Sequence, residues 1–146
     1  MYIEEFDKLK TKMLKYIMYK KRTEKEIRQK FADCDENMVD DAIEYLTEAG
    51  YISDSNYVER AIEEFVNINT LSLKEIKYKL MSKGVNTSLV EDYISLHYDR
   101  LLEYEAKCAQ KIYYKKINSM EKPEIIAFLK KKGYREESIR EIDEQE

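Results

Sequence analysis

The chain has 146 residues, of which 38% are charged and 43% are hydrophobic, and its formal net charge is −4. This hydrophobic content is too high for a disordered chain, and no apolar run approaches the length of about 20 residues that spans a membrane. Only three glycines and one proline interrupt the chain, so the composition favours long helices over a many-stranded β fold, which needs turn residues.

Apolar residues recur with helical spacing along the chain and predict nine helices. The predicted helices cover residues 2–20, 23–31, 38–48, 54–68, 72–83, 88–98, 100–118, 122–132 and about 135–144. Spacing also predicts which face of each helix is buried. The predicted inward faces of the fourth and seventh helices are Tyr57, Ala61, Phe65 and Ile68, and Leu102, Ala106, Ala109, Tyr113 and Ile117.

A short helix that opens with a capping box recurs after 49 residues. Thr23 with Glu26, and then Ser72 with Glu75, place a hydroxyl and a carboxylate three residues apart, where each can bond the other's backbone N–H. Fixed-period similarity of this length is typical of tandem helical repeats. We therefore expect an all-α fold of three tandem three-helix units, at residues 1–52, 53–99 and 100–146. The positions that recur are Ile27, Ile76 and Ile125, then Phe31, Leu80 and Leu129, then the helix-ending Gly84 and Gly133.

Charge is distributed in blocks along the chain. Residues 1–31 carry ten Lys or Arg against five acids, and residues 66–135 carry fourteen against eight. Residues 32–65 carry one Arg against eleven acids, and residues 136–146 carry one against six. The blocks predict a basic and an acidic surface, with solvated helix faces as the alternative.

The basic residues suggest where an acidic partner would bind. Lys107, Lys111 and Lys115 follow one another at every fourth residue and form a linear ridge on one helix face. We expect this ridge, its neighbours and a second, N-terminal patch to contact acidic protein or DNA phosphate. The candidate contact residues are Lys107, Lys111, Lys115, Lys116, Lys130, Lys131 and Lys132, with Lys8, Lys12, Lys15, Lys20, Lys21 and Arg22 in the second patch.

No catalytic constellation is visible in the sequence. There is no Gly-rich phosphate loop, no nucleophile elbow and no metal-ligand spacing, and His97 is the one histidine. We expect no enzymatic activity, no metal and no cofactor. Cys34 and Cys108 are expected to be free buried thiols, which fits a reducing cytoplasm, and the acidic start of the chain lacks the apolar stretch of a secretory signal.

Four stretches stand in register along the chain. Two of them are Arg22-Thr23-x-x-Glu26-Ile27-Arg28-x-Lys30-Phe31 and the junction Leu46-Thr47-Glu48-Ala49-Gly50-Tyr51-Ile52-Ser53-Asp54-x-x-Tyr57-Val58. The other two are Leu73-x-x-Ile76-x-x-x-Leu80-x-x-x-Gly84-Val85 and Leu129-x-x-x-Gly133-Tyr134. Together they resemble, over the whole chain, the RecX family of recombination regulators.

The resemblance implies three tandem three-helix repeats in an elongated, curved array with a right- or left-handed twist. It implies binding to the RecA recombinase filament, with contact to single- or double-stranded DNA left open, and a cytoplasmic monomer is expected. It also implies inhibition of RecA's ATP hydrolysis, strand exchange and co-protease activities, and so modulation of DNA repair and the SOS response. One segment departs from the family pattern: residues 67–71 are neutral and lack glycine, whereas the family usually enters its second repeat through a basic, glycine-containing stretch.

Two other readings fit parts of the chain. Helices 23–31 and 38–48 could form the helix-turn-helix of a winged-helix DNA-binding transcriptional regulator, with a wing starting at Gly50. The amphipathic helix predicted after Ser53, and the acidic block that would repel phosphate, argue against this reading. The third reading is a helical scaffold with no role at nucleic acid.

Overall fold

The computed structural model describes the backbone of residues 1–144 and the side chains of these residues other than 141, 143 and 144. The described residues form nine helices and no strand, which confirms the predicted all-α fold. None of these helices combines the length and the apolar composition needed to cross a bilayer. The helices are α1 (Tyr2–Tyr19), α2 (Glu24–Lys30), α3 (Glu36–Glu48), α4 (Asp54–Ile68), α5 (Leu73–Ser82), α6 (Thr87–Leu96), α7 (Tyr98–Lys116), α8 (Lys122–Lys132) and α9 (Glu136–Glu144).

Side-chain caps set most of the helix starts. Thr23 and Ser72 each close the predicted capping box at the start of α2 and α5. Ser53 accepts a hydrogen bond from the N–H of Asn56 and opens α4 at the predicted residue. The boundary between α6 and α7 falls two residues earlier than predicted, because His97 ends α6 and begins α7.

The helix that begins at Asp54 rules out the wing of a winged-helix domain. A wing needs a hairpin after Gly50, but the described residues contain no strand, and α4 follows Ser53 directly. Helices α2 and α3 therefore lack the wing that a winged-helix DNA-binding domain would need after them.

The recurring apolar positions are buried in all three units. Ile27, Ile76 and Ile125 are each 0% exposed, as the 49-residue spacing predicts. The second recurring set is buried too, at 8% exposure or less, and confirms the same prediction. The members of that second set are Phe31, Leu80 and Leu129.

The apolar core has two parts. One cluster of buried side chains joins α1, α2 and α3, while a second runs continuously through α4 to α9. The first unit thus buries its own face, and the second and third units share a core. The boundaries between units, at residues 52 and 99, stay a prediction. The shared core continues across the second of them.

Neighbouring units touch through the same hydrogen bond at two places. The cap hydroxyl of Thr23 donates to the carbonyl oxygen of Lys83 at 2.6 Å, and the cap hydroxyl of Ser72 donates to that of Lys132 at 2.9 Å. Each bond joins the start of one short helix to the end of the next short helix. We call these contacts the first joint, between α2 and α5, and the second joint, between α5 and α8.

A carboxylate supports each joint. At the first joint, Asp54 Oδ1 accepts from the N–H of Glu24 at 2.9 Å. At the second joint, Glu105 Oε2 accepts from the N–H of Leu73 at 2.8 Å. Glu24 and Leu73 are both the first residue of their helix, so each carboxylate satisfies an N–H that has no partner inside the helix.

A glycine lets the backbones approach closely at each joint. Gly84 (φ +91°) and Gly133 (φ +98°) end α5 and α8 in the left-handed conformation that glycine tolerates. A Cβ on Gly84 would lie 2.2 Å from Cδ of Lys25, and one on Gly133 would lie 2.8 Å from Cβ of Lys74. The 49-residue spacing of these glycines therefore reflects repeated packing between units.

Three predictions of burial are wrong. Cys34 is exposed in the turn after α2, whereas Cys108 is buried as expected. Ile68 is 60% exposed, because the buried residues of α4 are Val58 and Ile62 and its predicted face is rotated by one residue. Ile117 is 44% exposed, since α7 ends at Lys116 and the predicted stripe runs past the helix.

The molecule exposes more surface than a compact protein of its mass. Its accessible area is 9551 Å². A compact monomer of 17.6 kDa would expose about 7,900 Å². The excess fits an elongated array of units.

Candidate partner-binding surface

Helix α7 displays the predicted lysine ridge. Lys107, Lys111 and Lys115 are all exposed, while Ala109 and Tyr113 on the other side are buried. Lys107 Nζ lies 3.3 Å from Oε1 of Glu103, one turn earlier, and both side chains are 68% exposed. An exposed pair of this kind contributes little and can exchange for a partner's charge.

The lysines at the end of the ridge meet α8 across an aromatic ring. Lys116 Nζ lies 4.5 Å from the ring centre of Phe128, and Lys132 Nζ lies 5.6 Å from it. These distances are within the range of cation–π attraction. With Lys115, they surround a cavity of about 470 Å³, which we call the Phe128 cleft. Its lining residues are Thr70, Leu71, Glu75, Ile112, Lys115, Lys116, Ser119, Phe128, Lys132 and Tyr134.

Tyr134 gives the wall of the Phe128 cleft an unpaired polar group. The residue is 4% exposed, and its hydroxyl has no hydrogen-bond partner among the residues that the structure describes. Burial is the main cause that raises its pKa, with the neighbouring Cys108 and Glu75 adding to the shift, so the hydroxyl keeps its proton at neutral pH. A buried hydroxyl without a partner is unusual in a folded protein and calls for an explanation.

Polar contacts hold the backbone beside the cleft. The Tyr104 hydroxyl donates to the carbonyl of Leu71 at 2.6 Å, and the Cys108 thiol donates to Oδ1 of Asn69 at 2.9 Å. Asn69 ends α4 with a left-handed φ of 65°, a conformation that asparagine tolerates better than most residues. This is how the neutral segment 67–71 makes its turn without a glycine.

Two of the three predicted lysines of α8 lie away from the cleft. Lys130 lines a separate cavity of about 180 Å³ with Glu136 and Arg140, and Lys131 is exposed on α8. The Lys130–Lys132 run is therefore divided, because successive residues of a helix point to different sides.

The N-terminal patch is also divided. Lys8, Lys12 and Lys15 are exposed on α1. Lys20 and Lys21 line a cavity of about 180 Å³ with α4. Arg22 is half-buried, and the central carbon of its guanidinium lies 4.2 Å from the ring centre of Tyr16, so it is held inside the fold more than the others.

Most of the predicted contact residues carry charge that nothing nearby neutralises. Of the thirteen lysines and arginines, Lys107 alone lies within 4.0 Å of a carboxylate whose side chain the structure describes. In the acidic block of residues 32–65, by contrast, two carboxylates of α3 have partners within the fold. Asp40 pairs with Arg28 at 2.6 Å, and Asp41 accepts a hydrogen bond from Tyr2. A protein with net charge −4 thus keeps two groups of free cations.

Phe128 and Tyr134 were missed by reasoning from the sequence. Phe128 stands four residues before Lys132 on the predicted helix, a spacing that places a cation over a ring. The sequence therefore contained a signal for the contact between Phe128 and Lys132. It contained none for the contact with Lys116, which depends on how α7 packs against α8. No group of three His, Cys, Asp or Glu side chains within the described part of the chain is placed to hold a metal.

Curated relatives of this chain carry one name. The chain is 32% identical to "Regulatory protein RecX" of Clostridium acetobutylicum over 117 residues, which are 79% of this chain and 53% of that protein. It is 32% identical to the protein of the same name from Clostridium perfringens over 142 residues, which are 90% of this chain and 65% of that protein. The chain therefore spans roughly half to two thirds of the length of these relatives. No protein-family model matches it.

A solved structure shares the fold across nearly its full length. The crystal structure of RecX from Lactobacillus salivarius superposes with a TM-score of 0.81 at 25% identity, covering 98% of this chain and 97% of that one. The relatives' shared name, the superposition and the repeated joints agree with the resemblance seen in the sequence. The chain belongs to the RecX family of regulatory proteins.

Proposed function

We propose that the protein regulates a RecA-type recombinase by binding its filament on DNA and inhibiting ATP hydrolysis, strand exchange and co-protease activity. The observation that carries this proposal is the set of unneutralised cations on α1 and on α7–α8. The family that the chain belongs to supports the choice of partner.

A recombinase filament presents negative charge repeatedly along its length. An elongated array of three units can touch several such sites at once, so that modest contacts add up to high avidity. Lysine ammoniums bind phosphate and carboxylate groups in this setting mainly through charge, and each phosphate neutralised adds about one unit to the slope of log affinity against log salt concentration. Binding should therefore weaken steeply as salt is raised.

The proposal includes no chemistry by the protein itself. It acts by occupying the filament in the cytoplasm, as a monomer, and without a cofactor. The relatives' name, which describes regulation, agrees with a protein that is not an enzyme. Hydrolysis of nucleotide or nucleic acid by the purified protein alone would contradict this part of the proposal.

The ridge can be tested by changing Lys107, Lys111 and Lys115 together to Glu. All three are exposed, so the thermal midpoint should stay nearly unchanged. The variant should inhibit RecA ATP hydrolysis more weakly than the parent, and its binding should depend less on salt. The measurement is filament-stimulated ATP hydrolysis at several salt concentrations.

Lys79→Glu provides a control for a single charge reversal, to be compared with Lys111→Glu alone, since Lys79 is exposed on α5 and belongs to neither patch. It should inhibit as the parent does. If the triple variant also inhibits as well as the parent at every salt concentration, the ridge is a solvated helix face and the assignment is wrong.

A further inference from the structure

The Phe128 cleft gathers three lysines around one cavity. Lys115, Lys116 and Lys132 line it together with one carboxylate, Glu75, which accepts from the N–H of Ser72. None of the three ammoniums lies within 4.0 Å of a carboxylate in the described part of the chain. Like charges so placed repel one another, which costs stability unless an anion enters between them. An anion that entered between them would relieve this repulsion.

The walls of the cleft add an apolar surface to this charge. Leu71, Ile112 and Phe128 line it, and its volume of about 470 Å³ lies in the range of small-molecule sites. Phe128 already attracts two cations to its ring. Aromatic rings flanked by basic side chains are the usual platform on which proteins stack nucleobases.

The unpaired hydroxyl of Tyr134 is an independent sign of a ligand. It is buried in the wall of this cleft with no hydrogen-bond partner among the described residues, whereas the neighbouring Tyr104 hydroxyl and Cys108 thiol each have one. A protonated hydroxyl can donate to a ligand oxygen. A ligand that supplies an acceptor would satisfy a group that the protein leaves unsatisfied.

We propose that the Phe128 cleft binds one nucleotide, with the phosphate against the three lysines and the base against Phe128. Lysine binds phosphate as a point charge, and three ammoniums suit the charge of a phosphate. The aromatic ring beside them favours a nucleotide over a carboxylate. The flexible lysine side chains can leave the ring face as the base arrives and stay beside the phosphate. This inference rests on the proposed function in one respect only: it assigns a nucleotide as the ligand of three lysines that the proposed function places against the recombinase filament.

The nucleotide can come from two sources, a free nucleotide or a unit of single-stranded DNA. Calorimetric titration of the purified protein with thymidine 5′-monophosphate, thymidine, inorganic phosphate and a twelve-residue oligothymidylate separates them. We expect the monophosphate to bind at least tenfold more tightly than thymidine or phosphate. Tighter binding of the oligonucleotide identifies the strand as the source, and equal binding identifies the free nucleotide.

Variants test whether the binding occurs in the cleft. Lys116→Gln with Lys132→Gln should weaken monophosphate binding at least tenfold. The matched double change Lys79→Gln with Lys83→Gln, at exposed lysines outside both patches, should leave it within twofold. Phe128→Leu should weaken binding of the monophosphate but not of inorganic phosphate. Tyr134→Phe should weaken binding several-fold without lowering the thermal midpoint of the free protein, since its hydroxyl has no partner to lose.

Three outcomes would overturn the inference. They are monophosphate binding that the cleft variants do not change, inorganic phosphate binding as tightly as the nucleotide, and a Glu-rich peptide binding as tightly as the oligonucleotide. These titrations contain no recombinase, so their failure leaves the proposed function standing. Failure of the filament assay likewise leaves the cleft proposal untouched.

Discussion

Glu105 is a fully buried carboxylate that connects three parts of the chain. Its oxygens accept from the N–H of Leu73 at 2.8 Å, from the N–H of Arg135 at 2.8 Å and from the hydroxyl of Ser138 at 2.9 Å. It thereby ties α7 to the start of α5 and to the start of α9. A buried carboxylate is stable when hydrogen-bond donors surround it in this way.

Replacing Glu105 with Ala should strongly destabilise the protein. The change leaves two backbone N–H groups and one hydroxyl buried without acceptors, at about 1–3 kcal/mol each before relaxation, so we expect a loss of about 3–5 kcal/mol. Urea unfolding followed by circular dichroism measures it. Glu103→Ala, on the exposed side of the same helix, is the control and should change stability by less than about 0.5 kcal/mol. Equal stability of the two variants would contradict the role given to Glu105.

Glu63 contributes to the stability of the fold in a way that depends on pH. Hydrogen bonds from Arg100, at 2.7 and 3.0 Å, are the main cause that lowers the pKa of its carboxyl below the ordinary value of 4.5, and the Tyr93 hydroxyl adds to the effect. A lowered folded-state pKa contributes stability above the unfolded value, and that contribution is lost as pH falls through the folded value.

The stability difference between the parent and Glu63→Gln should therefore be largest near neutral pH. It should shrink as the pH falls below 4.5 and vanish once Glu63 is protonated in both states. Thermal midpoints measured from pH 7 down to about pH 3 test this. Glu59→Gln, an exposed change on the same helix, should show no such trend. A constant difference across the range would refute the assignment to the Arg100 pair.

At the scale of helices, the two joints follow one pattern. A cap hydroxyl, a helix-start N–H and a left-handed glycine recur at the same spacing in both. Each joint couples the start of one short helix to the end of the next. The stability of the array should depend on these few contacts, since stacked units are held together by their nearest neighbours.

Gly84→Ala tests the first joint, and Gly50→Ala is its control. Both residues have a positive φ, so each change costs about 1–2 kcal/mol of backbone strain. A Cβ at Gly50 meets open space, whereas one at Gly84 would collide with the stem of Lys25. We expect Gly84→Ala to lose about 1–3 kcal/mol more than Gly50→Ala in urea unfolding. Equal losses would show that the units do not press together at Gly84.

Periodicity could identify these helices, because each signal lies within one element. Spacing placed Ile27, Ile76 and Ile125 in the core, since the same residue type recurs every 49 residues. The role of Glu105 could not be predicted, because its partners lie 30 or more residues away and a carboxylate on a charged helix gives no local signal. Cys34 was wrongly predicted to be buried because free cysteines usually are. The repeat pointed the other way, since Cys34 corresponds, 49 residues earlier, to Lys83, which is also exposed.

At the scale of the whole molecule, charge and shape act together. An accessible area of 9551 Å² spreads the uncompensated lysines over an extended surface. The basic residues form two separate groups, one on and just after α1 and one on α7–α8, so that two sites of a partner can be bound at once. This is the arrangement that a repetitive anionic filament would select through multivalent contact.

We propose that this array binds a recombinase filament and slows its ATP hydrolysis. The most direct test adds the purified protein to RecA assembled on single-stranded DNA and follows ATP hydrolysis, with co-sedimentation of the filament in parallel. We expect hydrolysis to fall as protein is added, and we expect the protein to sediment with the filament, less so at higher salt. An unchanged rate of hydrolysis, with the protein left in the supernatant at low salt, would contradict it.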